Sequence, residues 1–276
     1  MTDEYAIRAE GLAKRFGDTV AVDGIDLAVP RGSVYGFLGP NGAGKTTTRR
    51  MLTTLTRPSA GTASVDGTPV TDRDGVRGSV GYLPEEPPVF DELTGREQLQ
   101  YFARLRDIPA ETAAARIDRW LDRFDLADEA DRRIDDYSKG MRGKVGLIQA
   151  LLHEPPVLFL DEPTSGLDPR AARTVLDVIA DLADAGRTVF LSTHILPVVE
   201  ELADSVGVLS NGSLVAEGPP AELTARLEGE PDPTLEDVFL SVTAEREATD
   251  ETEAGPGRGS PAGRVPADER ESAGDR

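Results

Sequence analysis

The chain has 276 residues, 38% of them hydrophobic, enough for one large domain or two modest ones. Asp and Glu number 50 against 30 Lys and Arg, a net charge near −20, which argues against a nucleic-acid binder with a basic face. Cysteine is absent, which excludes disulfides and cysteine–zinc sites and fits a reducing compartment. The lysines are few: Lys14, Lys45, Lys139 and Lys144. An acidic, lysine-poor surface suits a salt-rich cytoplasm, where screening tolerates self-repulsion. Codon bias with ordinary solubility is the plainer alternative. No stretch approaches the ~18 apolar residues of a membrane helix. Met1–Glu10 carries acids and no apolar run, so no signal peptide is expected. A soluble chain follows, one that reaches a membrane only through a partner.

In chain order, Tyr5–Ala9 and Val20–Val29 alternate apolar and polar residues and predict strands, with Gly17-Asp18 as a turn. Ser33–Leu38 is a short apolar strand that runs into a glycine-rich loop. A helix follows over Lys45–Leu55, stopped near Pro58. Thr62–Val70 predicts a strand pair broken at Asp66-Gly67, and Val80–Leu83 a buried strand. From about 92 to 155 the pattern turns helical. Thr94-Gly95-Arg96-Glu97 is a capping box ahead of Leu99, Phe102 and Leu105. Ile117, Trp120, Leu121 and Phe124 mark a second helix. A third begins near Ser138, runs through Val145, Ile148 and Leu152, and ends at Pro155-Pro156. Alternation of strand and helix then returns: strand Val157–Leu160, helix Arg170–Ala185, strand Thr188–Ser192 and helix Leu196–Ala203. Val206–Leu209 and Ser213–Ala216 flank Asn211-Gly212, a hairpin signal. From about residue 243 the chain is rich in Gly, Pro, Glu and Arg, and 243–276 is expected to be a disordered acidic tail.

Two segments carry chemistry. Gly39-Pro40-Asn41-Gly42-Ala43-Gly44-Lys45-Thr46 matches G-x-x-x-x-G-K-[ST], with a strand before it and a helix after it. The glycines let backbone N–H groups turn toward phosphate oxygens, and the helix N-terminus points at the same oxygens. Lys45 is expected to reach the β- and γ-phosphates, and the Thr46 hydroxyl to sit on Mg²⁺. The second segment, Val157–Glu162, is an apolar strand ending in two acids. Burying such a pair without a partner is costly, and a metal and a water supply one. Asp161 is the candidate for Mg²⁺ and Glu162 for the base on an attacking water. The plainer alternative is a solvated strand end.

With these residues in view, the chain resembles the ATP-binding subunits of ABC transporters over about residues 4–240. The resemblance implies an α/β fold: a P-loop NTPase core with an N-terminal antiparallel β subdomain and an α-helical subdomain inserted at about 92–155. It implies ATP and Mg²⁺ as cofactors. Phe16, in Lys-Arg-Phe-Gly, matches the aromatic that stacks on adenine; otherwise it is an ordinary core phenylalanine. Thr47 completes the phosphate loop. Glu85, in Gly-Tyr-Leu-Pro-Glu-Glu, stands where the family usually has a glutamine at the metal, and adds negative charge there. Tyr137-Ser138-Lys139-Gly140-Met141 stands at the signature segment. Ser138 and Gly140 match it, and Lys139 brings a positive charge. By itself that stretch is a helix cap. Asp168, in Ser165-Gly166-Leu167-Asp168, matches the loop that crosses between two subunits. His194, in Leu-Ser-Thr-His, matches the histidine that contacts the γ-phosphate; otherwise it is structural. His153 receives no role.

In that family the phosphate loop of one subunit and the signature of another enclose the same ATP. The resemblance therefore implies a head-to-tail pair with a second ATPase subunit, expected to be a copy of this chain, and a transmembrane permease partner. It implies a place in the cytoplasm, held on the inner face of the membrane by that partner. The loop and signature spellings, with Thr234–Leu240, are most similar to ABC-2-type exporter ATPases. An importer subunit, a soluble ABC protein outside transport and a nucleotide sensor of weak turnover are the alternatives.

Overall fold

The computed structural model describes residues 4–227 and 233–243. Two sheets form the frame. The first is antiparallel, in the order β2-β1-β4-β5, built from β1 (Tyr5–Phe16), β2 (Thr19–Pro30), β4 (Ala60–Val65) and the two-residue β5 (Thr68–Pro69). The second has six strands, β10-β9-β3-β8-β7-β6. It contains β3 (Val34–Leu38), β6 (Val80–Leu83), β7 (Val157–Asp161), β8 (Thr188–Ser192), β9 (Ser205–Ser210) and β10 (Ser213–Gly218). From β9 to β6 its neighbours are parallel; only β10 runs antiparallel, closing the expected hairpin at Asn211-Gly212.

Val34–Leu38 is buried at every position, as in a parallel strand covered on both faces. α1 (Lys45–Leu52) leaves its C-terminal end, and α2 (Arg73–Ser79) precedes β6. The helical segment consists of α3 (Gly95–Leu105), α4 (Ala110–Arg123) and α5 (Lys139–Leu151). α6 (Pro169–Asp184) and α7 (Leu196–Leu202) return the chain between strands, and α8 (Pro220–Thr224) follows β10. Residues 235–243 are helical.

Among the described residues three apolar clusters share the core. One joins α3, α4 and α5 to the strands through Leu99, Ile117, Ile148 and Leu160. A second fills the space between the sheets with Ile7, Val29, Phe37, Phe159 and Phe190. Phe190 lies 5.0 Å from Phe37 and 5.2 Å from Phe159, ring centre to ring centre, and together they form the floor beneath the strand ends. The third, with Leu38, Val199, Val206, Leu235 and Val238, seats residues 235–243 on the main sheet.

Several extents differ from expectation. β1 continues to Phe16 rather than ending at Ala9, because β2 and β4 pair with it on both sides across bulges. α1 ends at Leu52 rather than Leu55: Thr54 adopts φ 61°, and the Thr53 hydroxyl donates to the Arg49 carbonyl. α2 and α8 are too short for periodicity to reveal. The tail and residues 228–232 lie outside the described residues, apart from Thr243.

Candidate functional site

Strand order explains why the chemistry converges. β3, β8 and β7 lie side by side and parallel, with Phe37 opposite Ser192 and Ser192 opposite Asp161. The loops leaving their carboxyl ends therefore emerge together, where parallel sheets hold ligands. Those loops are Gly39–Gly44, Glu162–Asp168 and Thr193–His194. β6 pairs with β7 up to Leu83 and Leu160, which sets Glu85 beside Asp161.

The result is one cleft of about 650 Å³, within the range of small-molecule sites. Of the expected residues it is lined by Gly39, Pro40, Asn41, Gly42, Gly44, Lys45, Thr46, Thr47, Glu85, Asp161, Glu162 and His194. Ala43 is buried beneath the loop. Phe16 lies outside the lining and is exposed, with Lys14 Nζ 5.0 Å from its ring centre. It is therefore no core residue, since β1 ends there at a turn that leaves the ring in solvent. Ser138, Gly140 and Asp168 also lie outside this chain's own cleft.

The loop's shape depends on glycine. Gly39 has φ 157° and Gly44 φ 106°; a Cβ would lie 2.4 Å from the Leu209 carbonyl oxygen in the first and 2.4 Å from that of Ala21 in the second. Gly44 caps α1, whose first-turn N–H groups have no acceptor within the helix. Lys45 Nζ donates to the Gly39 carbonyl and, at 3.0 Å, to that of Pro40. Burial pushes its pKa below the usual lysine value, against the pull of Glu162 and Asp161.

Opposite lie the acids. Burial raises the Asp161 pKa, Glu85 and Glu162 add to the rise, and the Arg49 guanidinium opposes it. The site thus disfavours charge on both Lys45 and Asp161, a mismatch that a phosphate and a cation would relieve. Glu162 has φ 48°, a left-handed conformation uncommon for a glutamate. Its Oε2 accepts from Thr193 Oγ1 at 2.9 Å, and its Oε1 accepts from the His194 N–H at 2.9 Å. His194 Nδ1 lies 2.9 Å from the same Oε1, so that nitrogen carries the proton. The imidazole is otherwise open to solvent, 79% exposed, which excludes a buried structural histidine.

Two participants escaped the sequence reading. Thr193 stands within the Leu-Ser-Thr-His stretch, and its hydroxyl beside a histidine was the available signal. Arg49 ion-pairs with Asp161 across 112 positions and had no local signal at all.

The signature stretch starts α5. Ser138 Oγ accepts from the Met141 N–H at 3.2 Å, the expected cap. Gly140 packs on the next loop, where a Cβ would come within 2.9 Å of the Leu167 side chain. Lys139 Nζ lies 3.3 Å from Ser165 Oγ. Asp168 caps α6 by accepting from the Arg170 and Ala171 N–H groups, both at 3.0 Å. Those bonds hold its carboxyl below the usual range, that to Ala171 most of all.

Comparison with known proteins agrees with this geometry. Residues 22–165 match the family model described as ABC transporter. The chain is 46% identical over 228 residues to the daunorubicin resistance ATP-binding protein DrrA3 of Streptomyces coeruleorubidus, covering 82% of this chain and 72% of that one. It is 38% identical over 228 residues to the bacitracin transport ATP-binding protein BcrA of Enterococcus faecalis, covering 82% and 73%. A solved structure of the ATP-binding subunit of an ABC transporter superposes with TM-score 0.80 at 30% identity, covering 86% of this chain and 99% of that one. The chain belongs to the ABC transporter family, as an ATP-hydrolysing, ATP-binding subunit of the exporter type.

Proposed function

We propose that this chain is one half of an ATPase pair that couples ATP-driven closure to export through a transmembrane partner. The observation that carries the reading is the Glu162 carboxylate, fixed by Thr193 and His194 across the cleft from the phosphate loop. The loop's N–H groups, the α1 N-terminus and Lys45 receive the phosphates. Glu162 takes the proton of the attacking water, and His194, tied through Nδ1, keeps Nε2 for the γ-phosphate.

The donor set fits Mg²⁺. Thr46, Asp161 and Glu85 offer hard oxygen atoms in one cleft, and no cluster of three acids or histidines forms a complete protein cage among the described residues. Magnesium favours such a half-built site, completing its shell with water and phosphate oxygens. When bound it would offset charge on the β- and γ-phosphates.

The signature residues support a pair. Ser138, Gly140 and Asp168 lie outside the chain's own cleft, and Ser138 and Asp168 are exposed at the starts of α5 and α6, free to meet the ATP of a second copy arranged head to tail. The helical segment supports a membrane partner. Phe90, Tyr101 and Leu105 are exposed, and the first two meet edge to face at 5.6 Å. A cytosolic helix of the permease with an apolar face suits that patch. The buried Gln98 of α3 fastens it to the segment that follows Glu85: its Oε1 accepts from the Phe90 N–H at 3.1 Å and its Nε2 donates to the Pro88 carbonyl at 3.0 Å. A shift at Glu85 would thereby reach Phe90. Export agrees with the drug-resistance and antibiotic-transport names of the relatives, and puts the chain on the cytoplasmic face.

Glu162→Gln tests the reading. We expect turnover to fall by about 10²-fold or more, and ATP to hold a dimer visible by size-exclusion chromatography. Normal turnover in that variant would remove Glu162 from the chemistry.

A further inference from the structure

Arg49 is the largest side chain that the core encloses completely. It lies one turn beyond Lys45 on α1 and is 2% exposed. Its Nη2 donates to Asp161 Oδ2, and its guanidinium carbon lies 5.9 Å from the centre of the Tyr82 ring. Nε and Nη1 are buried with no hydrogen-bond acceptor. A guanidinium cannot shed its proton to escape such a site, so a fixed positive charge stands behind the acid. Removing one partner of such a buried pair leaves an uncompensated charge, so Arg49 depends on Asp161 as its counter-ion.

Asp161 therefore has two claimants. It is the acid assigned above to Mg²⁺, and one of its oxygens already belongs to Arg49. The local charges bear on which wins. Without nucleotide, three acidic side chains, Glu85, Asp161 and Glu162, stand with two basic ones, Lys45 and Arg49. The imbalance is small, and a dication gains little by displacing or joining the guanidinium. Without Arg49 the Asp161 carboxylate would have no ion-pair partner of its own, and a divalent ion would meet no cation already seated there. A triphosphate changes the balance, since its negative oxygens outweigh both cations.

We propose that Arg49 is a resident counter-ion of Asp161 that makes divalent-cation binding conditional on nucleotide. It acts through Asp161 and touches no reacting atom, which makes it a positioning residue. The proposal rests on the assignment of Asp161 to the metal.

The test uses Mn²⁺ as the probe, with free ion counted by electron paramagnetic resonance against the full chain, with and without ATP. The unsubstituted chain should bind Mn²⁺ weakly alone and tightly with ATP. Arg49→Leu and Arg49→Gln should each tighten nucleotide-free Mn²⁺ binding by about tenfold or more, as coupling between two cations at one acid requires. Arg49→Lys restores the charge and should return the affinity to within about threefold of the original. Combining Arg49→Leu with Asp161→Asn should erase the gain and removes the uncompensated charge that could unfold the single variant. Unchanged or weaker Mn²⁺ binding in both neutral variants, with Asp161→Asn alone still weakening Mn–ATP binding, overturns the counter-ion role and leaves the metal assignment standing. If Asp161→Asn leaves Mn–ATP binding intact, the metal assignment fails and this inference with it.

Discussion

Glu162 combines a left-handed backbone, at φ 48°, with a carboxylate held by two neighbours on the next loop. That conformation costs a non-glycine residue roughly 1–2 kcal/mol. The bonds from Thr193 and His194, and the Glu162 N–H donated to the Ser192 carbonyl at 2.8 Å, offset it. Gly44 shows the opposite solution, since at φ 106° no side chain fits beneath Ala21. We expect Gly44→Ala to cost roughly 1–3 kcal/mol in a thermal melt. The displaced amides should also weaken binding of a fluorescent ATP analogue by at least about tenfold, as for a loss of 1.4 kcal/mol. Undiminished affinity would mean that the loop does not need its observed shape.

At the scale of elements, α5 separates two jobs of one residue. Ser138 caps the helix, and its loss should cost about 1 kcal/mol. Since Ser138 lies outside its own chain's cleft, Ser138→Ala should leave nucleotide affinity of the monomer unchanged while lowering hydrolysis by the pair. Equilibrium binding under dilute conditions and turnover at high protein concentration separate the two effects. A matched fall in both would contradict the head-to-tail arrangement. α3 is the helix whose start was most fully written in sequence. Thr94 Oγ1 accepts from the Glu97 N–H at 3.1 Å, and Glu97 Oε2 accepts from the Thr94 N–H at 2.9 Å, the reciprocal pair that the four-residue spacing announced.

Across the whole molecule, His153 links helix and sheet. It lies just beyond α5, and its Nε2 donates to the Val80 carbonyl at 3.0 Å, which fastens α5 to β6. Nδ1 is buried without a partner, so a second proton there has no acceptor. Burial, with Arg106 next, lowers its pKa to about 4. The unfolded chain then binds more protons than the folded one between about pH 6.5 and 4. Stability is complete above that window and falls as pH drops through it, by on the order of 3 kcal/mol in all. Denaturation midpoints measured across this range should show the loss, and His153→Gln should flatten that part of the profile. An unchanged slope would show that His153 is not the group responsible.

What the sequence determined by itself is the chemistry that is contiguous along the chain. The phosphate loop, the acid pair after an apolar strand, the capping box and the Asn211-Gly212 hairpin each depend on backbone geometry within a few residues, which local composition sets. The tertiary structure alone decided the pairings between distant segments. Arg49 meets Asp161 only because β7 lies near β3 with β8 between them. Glu162 meets Thr193 and His194 only because β7 and β8 are in register at Asp161 and Ser192. Exposure belongs to the same class: Phe16, at the end of β1, stands in solvent, and Phe190, midway along β8, lies in the core. Strand order and register arise from packing over the full chain, and no short window of residues encodes them.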